Sequence, residues 1–333
     1  MKLDLPAQIE VIGAGPAGSA AALAALAEGA RVTLREKSRF PRHKVCGEFL
    51  SPEILPILEA LGAAPAFAAA KPARIERVVL HVRGREKRFR LPEAAFGLSR
   101  SALDALLLDE ALRRGAQLSI ERAQPCAAAG SALVLAHGRQ APARSGARLF
   151  GFKAHFRAAS PAALEESVEL FFFEGGYAGL SPVEQGELNV CGLAPQAALR
   201  ECGFQPEELL PERLLSRLRP LERSFDWLVT GPLVFRNEFR GHASAYLAGD
   251  ALGFVDPFTG SGLLSALLTG RLAGQASSRG TSLEEYYAQC RRTLRRQYRV
   301  AATLRGMLGA GLTESVARWI PGEWLYRLTR PRV

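Results

Sequence analysis

The chain is short of the residues that staple or ligate. Its five cysteines, Cys46, Cys126, Cys191, Cys202 and Cys290, are an odd number scattered along 333 residues, and no two form a CxxC pair. Neither a disulfide framework nor a zinc site is indicated, and a reducing compartment fits. No apolar run approaches the roughly eighteen residues that span a bilayer. The opening MKLDLPAQ carries an Asp and a Pro and no apolar h-region, which argues against a secretory signal and for a cytoplasmic protein. No Ser/His/Asp or metal-ligand constellation demands its own chemistry.

What is there is ordinary in bulk. Hydrophobic residues make up 48% and charged residues 23%, as in soluble globular proteins, and 333 residues suit two domains. The net charge of +10 comes mainly from arginine spread through the chain, with local clusters at 83–90 and 291–299. No aromatic stacking platform or nucleic-acid motif accompanies them, so the reading is a solvated basic face and no nucleic-acid partner.

The informative stretch is QIEVIGAGPAGSAAALAALAEGARVTLRE, Gln8 to Glu36. A β-branched run stops at Gly13, Gly15 and Gly18, an Ala/Leu-rich segment follows, and a second apolar run ends at Glu36. Strand, tight turn, helix and strand in that order form a dinucleotide cradle. Gly13 allows the turn, Gly15 admits a pyrophosphate to the backbone amides, and Gly18 lets helix lie on strand. Glu36 stands where an acid accepts hydrogen bonds from the adenosine ribose and disfavours a 2′-phosphate. NAD and FAD share this cradle.

Further along, Ser51-Pro52 predicts a helix start, which leaves Arg39 to Leu50 as a loop carrying Arg42, Lys44, Cys46 and Glu48. Ile75 to Leu91 alternates around Gly84 as a hairpin, 101–114 reads as a helix, and Ala132 to Ala136 as a short strand. Past Gly151 come four strands rich in aromatic and β-branched residues, predicting a second, mostly antiparallel sheet; Pro206 to Arg219 reads as helix and Trp227 to Phe235 as strand. Phe171, Phe172, Phe173, Tyr177, Phe225, Trp227 and Phe235 give that sheet a greasy face, read first as core and alternatively as the wall of an apolar pocket. Ser244 to Leu247 is a strand running into AGDALGFVDPFTGSGLLSALLTG, a second glycine turn opening a helix. Two such turns suit a cofactor longer than one nucleotide needs. In the tail, Ser282 and Glu285 form a capping box, with Tyr287, Cys290, Leu294, Tyr298, Ala301 and Leu308 on one side and Arg291, Arg292, Arg295, Arg296 and Arg299 on another. The face is either solvated or a site of peripheral membrane contact.

GAGPAG with Glu36, KVCGEFLSP and GDALGFVDPFTGSG together resemble the FAD-dependent family with the fold of p-hydroxybenzoate hydroxylase, which includes geranylgeranyl reductases and flavin-dependent halogenases. The resemblance implies an α/β, Rossmann-like FAD-binding domain assembled from 1–74, 93–150 and 241–280. A mostly antiparallel β substrate domain at 151–240 would take in the 75–92 hairpin, and a helical tail would cover 281–333. It implies FAD as cofactor and NAD(P)H as a transient reductant, since no second strand-glycine-helix unit exists for it. The candidate cofactor residues are Gly13, Gly15, Pro16, Ala17, Gly18, Glu36, Lys37, Arg42, Cys46, Gly47, Arg100, Gly249, Asp250, Pro257, Gly260, Ser261 and Gly262. Cys46 and Glu48 are the candidate catalytic residues. Asp250 would meet the ribityl chain and the amides at Gly260 to Gly262 the flavin N1 and O2, where a helix N-terminus favours negative charge. Ala136-His137-Gly138 departs from the family's ADG, which puts that Asp contact in question.

The function these residues imply is NAD(P)H-dependent monooxygenation of an apolar or aromatic small molecule. The close alternative is geranylgeranyl-reductase-like reduction of a carbon–carbon double bond in an isoprenoid or other lipid. A non-catalytic flavin-binding or electron-transfer protein and a plain NAD dehydrogenase are the alternatives of other kinds. The family's tryptophan-rich halogenase motif is not found; the tryptophans are Trp227, Trp319 and Trp324.

Overall fold

A computed structural model describes residues 7–82, 84–124, 126, 130–139, 149–157, 166–233, 241–254 and 259–309, the side chains of 304–309 excepted. Pro257, Phe235, the Leu308 side chain and the tail beyond 309 lie outside the described residues. The first half of the chain forms β1 (Gln8–Ile12), α1 (Pro16–Ala27), β2 (Arg31–Glu36), β3 (Phe49–Leu50), α2 (Ile54–Ala60), α3 (Ala64–Ala69), β4 (Ala73–Val82), β5 (Arg85–Gly97), α4 (Arg100–Arg113), β6 (Gln117–Ile120) and β7 (Ser131–Leu135). The second half forms β8 (Leu149–Arg157), β9 (Ser167–Phe173), β10 (Gly176–Pro182), β11 (Glu187–Pro195), α5 (Gln196–Glu201), α6 (Glu212–Leu218), β12 (Glu222–Arg223), β13 (Leu228–Leu233), β14 (Tyr246–Leu247), α7 (Gly262–Ser278) and α8 (Leu283–Gly309).

Five strands make a parallel sheet in the order β14-β7-β1-β2-β6. After β1 the chain crosses through α1 to β2 on one side, and later fills β7 on the other. The crevice at the carboxyl ends of β1 and β7 is therefore a switch point, where open α/β sheets bind ligands. α1 carries no polar stripe: Pro16 to Ala25 are all buried, because α4 and the strands β1 and β2 cover it together with α7. Gly270 and Gly274 make the α7 contact possible, since a Cβ on either would fall 2.2 Å from a carbonyl oxygen of α1, Ala17 or Ala21. The two helices thus pack backbone to backbone.

The remaining strands join in a nine-stranded sheet, β12-β8-β11-β10-β9-β4-β5-β3, with β13 also on β8. All its pairings are antiparallel except β4 with β9. The β4–β5 hairpin is part of it, longer at both ends than alternation alone suggests, running from Ala73 to Gly97. One face buries Phe152, Phe156 and Phe171 against Leu199, Leu214 and Leu218 of α5 and α6.

Three local expectations shift. The helix after Ser51-Pro52 begins at Ile54, with Ser51 spending its carbonyl on the Ile54 amide while its hydroxyl caps nothing. The 206–219 helix is a 3-10 turn, Pro206–Leu209, and a separate α6, because Pro211 cannot donate within a continuous helix. The helix expected at 101–114 spans Arg100–Arg113 and is capped by Ser99, whose hydroxyl accepts the Ala102 N–H at 3.0 Å. At the tail, Ser282 takes the Glu285 N–H at 3.2 Å, as the capping box predicts.

Candidate active site

The first turn is shaped by backbone contact. Gly13 has φ of +99°, and a Cβ there would lie 2.5 Å from the Ala136 carbonyl oxygen at the end of β7. A Cβ on Gly18 would fall 1.7 Å from the Gly13 oxygen, so helix and turn fit only as glycines. Gly15, in contrast, faces open space, with the Arg100 guanidinium the nearest atom at 3.7 Å from its notional Cβ. Gly15 is also the N-cap of α1; it offers no side-chain cap, and the first turn holds no acid. The α1 amides and their partial positive charge are left for a ligand.

Glu36, buried at the end of β2, fixes this turn. Its Oε2 accepts the Ala14 N–H at 2.9 Å, and its Oε1 accepts Ser38 N–H at 3.1 Å and Arg42 at 3.0 Å. A carboxylate has about four acceptor positions. Three are used, which leaves one for a ribose hydroxyl. Beside it stand three cations. Arg42 is tied to Glu36, and Arg100 is gripped by Asp104 at 2.6 and 2.7 Å. Lys44 has no carboxylate partner among the described residues; burial first, then Arg100 and Arg42, push its ammonium down to about 8.

The second turn follows β14. Gly249 has φ of +60°, and a Cβ there would press within 2.8 Å of the Ala17 Cβ, so this turn rests directly on the first helix. Asp250 makes no hydrogen bond among the described residues. Burial raises its carboxyl above the ordinary range, against the pull of Arg139, Arg100 and Lys44. α7 begins at Gly262 with no side-chain cap, because the Ser261 hydroxyl is turned away, paired with Thr259 at 2.7 Å and accepting from Gln297 at 2.6 Å. A Cβ on Gly262 would meet nothing within 4 Å. A second uncapped helix N-terminus is open here.

Between the turns runs the 39–50 loop. Cys46 sits on it with its thiol pushed up by burial, its sulfur accepting the Glu48 N–H at 3.4 Å. Glu48, at φ of +55°, is fully buried, and the sequence gives no sign of what holds it. It accepts the Arg100 N–H at 2.5 Å, Lys153 Nζ, and His155 Nε2 at 2.7 Å; His155 Nδ1 meets Glu187 at 2.9 Å. Lys153 and His155 are themselves buried on β8. Burial opposes the Glu48 charge, but His155 and Lys153 outweigh it and hold the carboxyl below its usual value. Every oxygen of Glu48 is engaged by protein, so its part is to hold the loop, α4 and β8 together. Lys153, His155 and Gln297 are site-supporting residues that sequence reading missed. The alternation in Phe152-Lys153-Ala154-His155-Phe156 was the available signal, and it reads as a solvated face unless a carboxylate is known to lie opposite.

Both turns and the loop open onto one cavity of about 980 Å³. Gly13, Gly15, Pro16, Ala17, Glu36, Lys37, Arg42, Cys46, Gly47, Glu48, Arg100, Gly249, Asp250, Gly260 and Gly262 all line it. Gly18 and Ser261 lie behind the wall as supports. His137 lines it where the resemblance has Asp, and desolvation pulls its imidazole below the ordinary value. The far wall is largely apolar, built by Val78, Leu80, Val168, Leu170, Leu193 and Leu228 of the antiparallel sheet together with Phe49, Phe89 and Tyr177. The aromatic face divides accordingly: Phe171 and Trp227 pack in the core on the other side, Phe225 stacks on His43 at 4.2 Å, and Tyr177 reaches the cavity. Two uncapped helix N-termini, an open glycine at each and an unpartnered acid between them fit a long anionic dinucleotide. Among the described residues no group of His, Cys, Asp and Glu could hold a metal.

No family model matches the chain. It is 28% identical over 346 residues to a menaquinone reductase of Mycolicibacterium smegmatis, covering 86% of this chain and 82% of that protein. It is 26% identical over 328 residues to digeranylgeranylglycerophospholipid reductase 2 of Methanopyrus kandleri, covering 81% and 76%. Among solved structures, a flavoprotein/dehydrogenase from Cytophaga hutchinsonii superposes at a TM-score of 0.78 with 17% identity, over 97% of this chain and 91% of that one. Flavin-dependent halogenases share the same two-domain fold.

Proposed function

From the chain's place among the FAD-dependent oxidoreductases built on this two-domain fold, we propose that it saturates a carbon–carbon double bond in a polyprenyl lipid. The observation that carries the reading is the single cavity, with two uncapped helix N-termini on one side and a largely apolar wall on the other. The α1 amides, Lys44 and Arg42 would hold the pyrophosphate, Glu36 the ribose, Asp250 the ribityl hydroxyls, and the α7 amides the flavin ring. FAD, when bound, supplies the hydride chemistry.

The remaining work falls to the chain's own residues. The uncapped α7 N-terminus would favour negative charge on the group it faces. Val78, Leu80, Val168 and Leu170 exclude water and lie along a hydrocarbon chain. Cys46 lines the cavity and is the group we assign to deliver a proton to the second carbon. NAD(P)H serves as the external source of electrons and visits without a cradle of its own. One relative is named a menaquinone reductase and another a digeranylgeranylglycerophospholipid reductase, which supports a reductase acting on a prenyl lipid. Hydroxylation of an aromatic or apolar molecule would use the same cofactor, and Phe49, Phe89 and Tyr177 also line the cavity, so the anaerobic test decides between them.

The test is turnover under strict anaerobiosis, with NADPH or NADH and a geranylgeranyl-bearing lipid. Mass spectrometry should show a gain of H2 in the lipid. A product that forms only in air and gains oxygen would contradict the proposal.

A further inference from the structure

Most arginines of the described chain are matched by a carboxylate. Arg113 and Arg114 share Glu110, Arg157 meets Glu187, Arg219 meets Glu212 and Arg279 meets Glu28. The outer face of α8 gathers five that are not. Arg291, Arg292, Arg295, Arg296 and Arg299 are all exposed and have no carboxylate partner among the described residues. The helix has Glu284 and Glu285 in its first turn and no acid from Tyr286 to Gly309. Spacings of one, three and four residues put the five guanidinium groups in two adjoining rows along two turns. That is a strip of like charge held rigidly and left uncompensated.

The opposite face explains why the helix cannot simply rotate or peel away to relieve it. Tyr286, Tyr287, Cys290, Leu294, Tyr298 and Ala301 are buried, and Tyr287 donates to the Ala245 carbonyl at 2.6 Å. Gln297 holds Ser261 and Tyr298 donates to the Gly253 carbonyl at 2.8 Å, so the inner face fixes the flavin-end turn. The large apolar residues of this inner face are spent inside the protein. A partner of the outer face must therefore be bound through charge alone.

We infer that the outer face of α8 docks on the surface of an anionic lipid bilayer. A flat, multivalent layer of phosphate groups matches a flat double row of guanidinium forks, each able to hold one phosphate in a bidentate manner. With no large apolar side chain on the arginine face among the described residues, the contact is superficial, reversible and screened by salt, unlike that of an amphipathic helix that sinks into the interface. The inference does not depend on which substrate the cavity takes.

The test uses the flavin-loaded full chain and sedimentation with vesicles of phosphatidylcholine alone or mixed with phosphatidylglycerol. A basic residue near an anionic surface multiplies affinity roughly fivefold. Binding should require phosphatidylglycerol, vanish at about 1 M salt, where the screening length is near 3 Å, and drop by roughly 25-fold in Arg292→Gln/Arg296→Gln. Arg213→Gln/Arg219→Gln removes equal charge from the antiparallel-sheet side and should change it little. Retained flavin absorbance and melting temperature show that both variants fold. Equal binding to neutral vesicles, equal losses in the two double variants, or tighter binding to duplex DNA than to anionic vesicles would each overturn the inference.

Discussion

Where α1 meets α7, backbone lies on backbone; where the 39–50 loop meets β8, charge lies on charge. The first junction relies on Gly270 and Gly274, which let two helices approach until a single Cβ would collide with a carbonyl. Gly270 faces Ala17 and Gly274 faces Ala21, so the helices run parallel and the α7 N-terminus stands about two turns ahead of the α1 N-terminus at one cavity. The second relies on Glu48, Lys153, His155 and Glu187, buried and mutually bonded, which tie the loop carrying Cys46 to the sheet that forms the largely apolar wall. Small residues give closeness but no direction. A charged cluster gives direction, because its bonds are satisfied in only one arrangement. In the proposed reading, the cofactor end of the cavity needs closeness, and the end assigned to the chemistry needs a fixed orientation.

The comparison breaks most severely at the charged junction. Glu48→Gln leaves Lys153 and His155 buried with too little negative charge and should cost about 3–5 kcal/mol of stability, measured by denaturant unfolding of the flavin-loaded protein. Glu48→Leu combined with Lys153→Met removes both charges and should recover a large part of that loss. The pH dependence follows from the lowered carboxyl. Its stabilisation is present above the ordinary value of 4.5 and is lost as pH falls through the depressed value in the fold. The Glu48→Gln protein should lack that part of the acid-side slope.

At the glycine junction, Gly270→Val overpacks the helix crossing and should cost about 1–3 kcal/mol. Because the change separates the turns, FAD affinity should fall more than ADP affinity, a difference that titration of each ligand reports. Lys44→Gln is smaller and leaves both junctions intact. Losing one charge-assisted contact to the pyrophosphate should weaken FAD about tenfold. In the parent protein, affinity should also decline as pH rises through about 8, where free Lys44 gives up its proton, and the variant should be flat there. Smallest is Ser282→Ala at the start of α8, remote from both junctions, which should lower stability by about 1 kcal/mol and leave FAD affinity unchanged.

The two junctions also differ in how far the sequence disclosed them. Gly13, Gly15, Gly18 and Glu36 could be read at once, because a strand, a turn and a helix in sequence impose their own geometry and the glycines mark the close approaches. Gly260 and Gly262 were legible for the same reason. That Gly270 and Gly274 would carry the helix crossing was not, since glycine within an apolar helix names no partner. Glu48 was visible as an acid in a loop, but its partners stand more than a hundred positions away on β8, and a charged residue on an alternating strand reads as solvent-facing. The aromatic face suggested a pocket wall in part; the structure gives most of that wall to Val and Leu from the other side of the same sheet. Local chemistry is written in neighbouring residues, whereas pairing across domains is decided by topology.

The claim on which all of this rests is that one molecule reaches both helix N-termini. The direct measurement is a binding titration of the cofactor-free full chain with FAD, ADP and FMN under one set of conditions. The account predicts that FAD binds far more tightly than either half, because only FAD occupies the Gly15 and Gly262 ends together. FAD binding no tighter than ADP would mean that the flavin end of the cavity is not a flavin site, and the account would be contradicted.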